Sequence, residues 1–178
     1  MKKDFSKIQV LALDVDGVLT DGSIVIGQEG ELYKSFSAAD GLGISIAKRH
    51  GLSIAIITGR RSKIVLHRAK ELGITLVQSG ITDKATALEK LAGECSIPTE
   101  AIAFMGDDLN DLPAMQVAGF AFAPVNAVLE VKAKVDFVTT KMGGKGAVRV
   151  VIEKILQAKN LWQSIVNEYE TSGQGDSQ

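Results

Sequence analysis

Four short apolar runs, each followed by a helical stretch, constrain this chain more than any other feature. They are IQVLALDV (8–15), SIAIITG (53–59), TLVQSG (75–80) and AIAFMG (101–106). Each reads as a strand buried in a sheet, because short apolar runs bounded by turn residues and rich in β-branched side chains suit a strand covered on both faces. Helix signals recur between them. Asp40 is placed to cap a helix that runs through about His50 and closes at Gly51. A second helix starts near Ser62 and ends at Gly73, a third runs from Thr82 or Asp83 to about Cys95, and a fourth follows Asn110 and fades by Gly119. Such alternation specifies an α/β chain with a mostly parallel, doubly wound sheet and right-handed crossovers.

The remaining segments fit around that frame. SIVIGQEGELYKSF (23–36) holds two strand-like runs around GQEG, which is hairpin chemistry. FAFAP (120–124) and DFVTT (136–140) read as short strands around a helical turn, and GGKG (143–146) as a loop. The following segment, 147–170, reads as a long helix broken near Asn160, with Trp162 as a packing residue, and TSGQGDSQ (171–178) as a disordered end. The expected organisation is a single domain over 1–160, including the hairpin, and a C-terminal helix and tail over 161–178.

Bulk properties exclude several classes of function. A net charge of −1 gives no basic field for nucleic acid. The single cysteine, Cys95, rules out an internal disulfide and fits a reducing compartment. Polar residues interrupt the N-terminus before any apolar stretch, unlike a signal peptide, and no apolar run approaches membrane-spanning length. The expectation is a cytoplasmic protein with neither nucleic-acid nor membrane partners.

In doubly wound sheets the ligand sits at the carboxyl ends of the strands. Here every buried strand delivers polar residues to that edge: Asp14 and Asp16 from the first, Thr58, Gly59 and Arg60 from the second, Gly80 with Lys84 soon after from the third, and Gly106, Asp107 and Asp108 from the fourth. Converging carboxylates raise one another's pKa unless a cation neutralises them. An all-oxygen donor set selects a hard cation, and few ligands per loop favour Mg²⁺. An EF-hand loop starting at Asp14 fails, because Val18, Leu19 and Val25 stand where such a loop needs a ligand, a glycine and a glutamate. An aspartate beside Mg²⁺ can take up a phosphoryl group, with Lys84 and Thr58 stabilising its oxygens and Asp16 moving the proton. His50 and His67 sit among charged neighbours and read as surface residues, and either Asp108 or Asp111 is placed to cap the helix that follows.

DVDGVLTDG, IITGR, a lone lysine before a helix and GDDLND, in this order, resemble the haloacid dehalogenase superfamily of aspartate-nucleophile phosphatases. The resemblance spans about residues 8–150. It implies Asp14 as nucleophile and Asp16 as acid/base. The metal would be held by Asp14, Asp107 and the main-chain carbonyl of Asp16, with Asp108 and Asp111 in support and Thr58 and Lys84 on phosphate. Only about 40 residues separate Asp16 from Thr58, too few for the large cap domain common in that superfamily. DGVLTDG, the hairpin, KSF before DGLG, TGR and GGKGAVR look like the capless subfamily that dephosphorylates 3-deoxy-D-manno-octulosonate 8-phosphate (KDO 8-phosphate). By that resemblance the protein would be a homotetramer joined through its hairpins, and Ser37, Ala38, Ala39, Asp40, Gly41, Ser45, Arg60, Arg68, Lys84 and Asn110 would touch a sugar-acid phosphate, as would Asp16. Arg60 and Arg68 suit its anionic groups. Ala39 stands where the subfamily usually has arginine, and Val150 where it usually has glutamate. Alternatives are a phosphatase of a nine-carbon acid phosphate, a phosphoryl-receiver domain, and a non-catalytic oligomerisation module. A receiver domain places its paired acids and its phosphorylated aspartate in another order, and the intact set of acids argues against a degenerate module.

Overall fold

A computed structural model describes residues 3–172. Six strands form one parallel sheet: β1 (Val10–Leu13), β4 (Ser53–Thr58), β5 (Leu76–Ser79), β6 (Ile102–Met105), β7 (Phe120–Ala123) and β8 (Phe137–Val138). The spatial order is β5-β4-β1-β6-β7-β8, and β2 (Val25–Gly27) and β3 (Gly30–Tyr33) pair separately as an antiparallel hairpin. The chain leaves β1 toward β4 and β5, then returns to the other side of β1 with β6. β1 is therefore the switch point, where such sheets open a crevice.

β1 shows how the pattern builds the two layers. Successive strand side chains point to opposite faces. Leu11 and Leu13 join one core with residues of α1 (Ala38–Arg49), α2 (Lys63–Glu71) and α6 (Ala147–Ala158). Val10 and Ala12 join the other, with α3 (Lys84–Cys95), α4 (Leu112–Val117) and α5 (Leu129–Lys132). With both faces covered, all four residues of β1 are buried, which explains the unbroken apolar run.

Most expected boundaries stand within a residue or two, with Ser62 capping α2 and Asp83 capping α3. Asp40 is a correction. The N-cap of α1 is Ser37, whose hydroxyl accepts the Asp40 N–H at 3.3 Å. The buried Asp40 carboxylate instead accepts the N–H groups of Gly146 at 3.2 Å and Arg149 at 2.8 Å, at the start of α6. α6 begins at a glycine with no side chain to cap it, so an acid from another helix satisfies its first N–H groups. The long C-terminal helix breaks as expected at Asn160, which takes φ +59° between α6 and α7 (Trp162–Ser172). α7 runs two residues into the expected disordered end, and positions 173–178 lie outside the described residues. Among the described residues, no helix is long and apolar enough to cross a membrane.

Candidate active site

The carboxyl ends of β1, β4 and β6 meet around a cleft of about 260 Å³, with Asp14, Asp16, Thr58, Lys84, Asp107 and Asp108 in its wall. Gly59, Arg60 and Asn110 complete the predicted set there, and Gly22 and Ile24 line its hairpin side. Its centre is a buried charge cluster. Lys84, the first residue of α3, places Nζ 3.0 Å from Asp14 Oδ2 and 2.5 Å from Asp111 Oδ1. Asp111 Oδ2 accepts the main-chain N–H groups of Asp107 at 2.8 Å and Asp108 at 3.2 Å. Asp111 is thus fully committed: one oxygen holds Lys84 and the other fixes the loop after β6. Asp108 caps the helical turn over 109–111.

Oxygens of Asp14, Asp107 and Asp111 lie within 4.8 Å of one another. Burial, then the Asp111 charge, push the Asp14 carboxyl up to about 6 against the pull of Lys84. Burial, then Asp111, Asp14 and Asp108, push Asp107 up to about 7. Burial draws the Lys84 ammonium down, but Asp14 and Asp111 outweigh it and hold its pKa above the ordinary lysine value. Three acids against one lysine leave an uncompensated negative site, which a hard dication would neutralise. Both Asp111 oxygens already accept hydrogen bonds, from Lys84 and from the loop after β6, whereas Asp14 and Asp107 line the open cleft.

Gly17 keeps this geometry open. It sits at φ +84°, and a Cβ there would lie 2.0 Å from Asp107 Oδ2. The bare backbone therefore makes room for the Asp107 carboxylate. From behind, Asn126 donates to the Gly17 carbonyl at 3.1 Å and accepts the Gly143 N–H at 2.7 Å. The Gly143–Gly144 turn docks on the loop after β1, with the Gly144 N–H bonded to the Val18 carbonyl at 3.0 Å.

A model of the haloacid dehalogenase-like hydrolases matches residues 76–151. The 3-deoxy-D-manno-octulosonate 8-phosphate phosphatase of Escherichia coli K12 is 42% identical over 152 residues, covering 85% of this chain and 81% of that protein. The chain belongs to this phosphatase family of haloacid dehalogenase-like hydrolases. Two solved family members superpose on it. The Moraxella catarrhalis enzyme, in complex with a magnesium ion, a phosphate ion and a KDO molecule, is 43% identical with a TM-score of 0.90, covering 93% of this chain and 95% of that one. The cobalt-bound Haemophilus influenzae phosphatase is 37% identical with a TM-score of 0.90, covering 96% and 98%. The donor set described above fits the family's Mg²⁺.

Not every predicted residue of the family pattern reaches the cleft within one chain. Ser37, Asp40, Gly41 and Arg68 line a separate, tight apolar pocket between α1 and α2, beside Phe36 and Leu72. Ala38 and Ala39 are exposed at the start of α1, and Ser45 is half-buried further along it. Conversely, the hairpin supplies residues the sequence did not single out. Lys34 Nζ lies 2.5 Å from Asp16 Oδ1 and 2.9 Å from Glu31 Oε1. Glu31 in turn accepts a hydrogen bond from Ser62 at the start of α2. Strand periodicity gives no hint of the Glu31–Lys34 pair, because residues three apart in a strand face opposite ways. Lys34 lies just past the end of β3, where the chain turns. Asn126 was equally invisible, because its partner Gly17 is 109 positions away.

Proposed function

We propose that this protein is the Mg²⁺-dependent phosphatase of KDO 8-phosphate, releasing KDO and inorganic phosphate as a step of lipopolysaccharide precursor synthesis. The observation that carries this reading is the cluster of Asp14, Asp107, Asp111 and Lys84 beside Thr58 at the switch point of the sheet. Asp14, Asp107 and the main-chain carbonyl of Asp16 would hold the cation, which would supply the charge neutralisation that lets a carboxylate and a phosphate approach each other.

Asp14 is the nucleophile. Its carboxylate forms a bond to phosphorus as the bond from phosphorus to the sugar oxygen breaks, giving an aspartyl-phosphate. Lys84, held by Asp111, keeps a positive charge at the oxygens where negative charge accumulates, and Thr58 donates to the same group. Asp16 protonates the leaving oxygen, then takes a proton from the water that cleaves the acyl-phosphate. Arg60, with a side chain 57% exposed at the cleft and Nε 3.6 Å from Asp16 Oδ2, has further guanidinium donors for the sugar-acid carboxylate.

Ile26, Leu32 and Tyr33 expose large apolar surface on a two-stranded ribbon, which is marginal in water on its own. This supports a homotetramer joined through the hairpin. A monomer in sedimentation at micromolar concentration would refute that assembly. The single thiol fits a cytoplasmic setting. Phosphate release across a panel of phosphorylated sugar acids, with and without Mg²⁺, tests the activity. KDO 8-phosphate is expected to be the preferred substrate, and preference for a nine-carbon acid phosphate would overturn the assignment.

A further inference from the structure

Lys34 stands out on the hairpin. Its neighbours Leu32 and Tyr33 are 62% and 55% exposed, whereas Lys34 is half-buried, with its side chain covered beside Asp16 and Glu31. Removing an ammonium from water is costly unless it is paired. Here it is paired twice, at 2.5 Å with Asp16 Oδ1 and 2.9 Å with Glu31 Oε1. Glu31 is itself held by the Ser62 hydroxyl, which also accepts the Val65 N–H at 3.2 Å as the cap of α2. A continuous polar chain thus runs from the start of α2 through the hairpin to Asp16.

The two oxygens of Asp16 are consequently inequivalent. Oδ1 is fixed by a buried cation. Oδ2 is 3.6 Å from Arg60 Nε, whose side chain is exposed at the cleft. An ion pair on one oxygen restrains how the carboxylate can turn, and proton transfer requires the donor within hydrogen-bond reach of the reacting oxygen.

We propose that Lys34 is a positioning residue for the acid/base aspartate: it pins Asp16 Oδ1, so that Oδ2 is the oxygen that hands the proton to the departing sugar and later takes one from water. This rests on the reading of Asp16 as the acid/base. The hairpin then acts on the chemistry of its own subunit, in addition to any part it has in assembly.

Departure of the leaving group is the step that separates positioning from mere support of the hairpin. An alkoxide needs a proton to leave, whereas p-nitrophenolate leaves without one. The constant kcat/KM includes steps only up to that departure. Wild type, K34M, K34R and D16N are compared on KDO 8-phosphate and on p-nitrophenyl phosphate, with melting temperature and sedimentation as controls. K34M is expected to lower kcat/KM for the sugar phosphate by about 100-fold, in the range of lost general-acid catalysis, and for the aryl phosphate by less than about threefold. K34R should recover most of the loss, and D16N should show the same split as K34M, only larger. Should K34M fail to fold, E31Q, which removes the charge holding Lys34, is expected to show a smaller split of the same sign.

Equal losses on both substrates, or no loss on either, would overturn the role given to Lys34. A D16N variant without the split would overturn the acid/base reading itself. Wild type inactive on both substrates would overturn the phosphatase reading, and the proposal with it.

Discussion

Replacing Gly143 with alanine tests whether the loop after β1 is held in place from behind. A Cβ at this position would fall 1.8 Å from the Gly17 oxygen, 2.4 Å from the Gly17 carbonyl carbon and 2.8 Å from the Thr20 oxygen. All three are backbone atoms, so no side chain can rotate away. Ordinary van der Waals contact begins near 3.4 Å, so the two segments must separate by about 1.6 Å. The separation falls on the turn that follows Asp14 and Asp16, and it strains the Gly143 N–H bond to Asn126. Misplacing a reacting group by about 1 Å costs roughly 100-fold in rate, so kcat is expected to fall by about that factor or more. Overpacking of this kind costs about 1–3 kcal/mol, or roughly 2–12 °C of melting temperature for a chain this size. G146A is the control. It lies in the same turn, and its new Cβ meets nothing within 4 Å. It carries only the backbone cost of φ +99°, about 1–2 kcal/mol. Steady-state kinetics and calorimetry of both variants are the assay. G143A at wild-type kcat, or G146A losing as much activity as G143A, would refute the idea that close backbone approach sets the loop after β1.

Three further outcomes follow from the site and the core. D14N should abolish phosphate release, and persistence of full turnover would remove Asp14 as nucleophile. Mg²⁺ at about 100 times its Kd should stabilise the metal-free protein by about 2.7 kcal/mol, or roughly 5–11 °C, whereas an unchanged melting temperature would mean that the acidic cluster holds no cation. Burial outweighs the N–H groups of Arg149 and Gly146 and raises the Asp40 pKa. Arg68 lines the same pocket, and the Arg149 guanidinium turns to Glu153. A raised folded-state value means that the native protein binds the extra proton, so this contribution is fully present below the unfolded carboxylate value and fades as pH rises through the folded one. The stability of wild type relative to D40N should therefore fall as pH rises from about 4, the unfolded carboxylate value, and a rise in denaturant titrations would contradict the sign.

Local chemistry made much of this protein legible in its sequence. Buried parallel strands must be continuously apolar, so IQVLALDV and AIAFMG declare themselves, and the residues ending such strands must face the ligand edge. Asp14, Asp16, Thr58, Lys84 and Asp107 could thus be named from order and spacing, and the structure gathers them around one cleft. Capping by adjacent residues was equally readable at Ser62 and Asp83. Partners distant along the chain were not. Asp40 looks like a cap for its own helix, but caps α6 across 106 positions to Gly146. Asp111 looks like a helix-end acid, but it is the buried counter-ion of Lys84 across 27 positions.

Nor does the sequence divide the predicted substrate residues. Arg60 reaches the cleft, whereas Arg68, eight residues later, packs between α1 and α2. The difference is one of position: Arg60 lies in the loop just past the end of β4, while Arg68 lies a turn and a half into α2. Sequence by itself determined the sheet, its working edge and the acids on it, because those depend on periodicity and strand ends. Only the tertiary structure decided which side chains hold those acids in place. Lys34 on Asp16, Asn126 on Gly17 and Gly143 against the same loop are contacts between distant segments, and such contacts exist only once the chain has closed on itself.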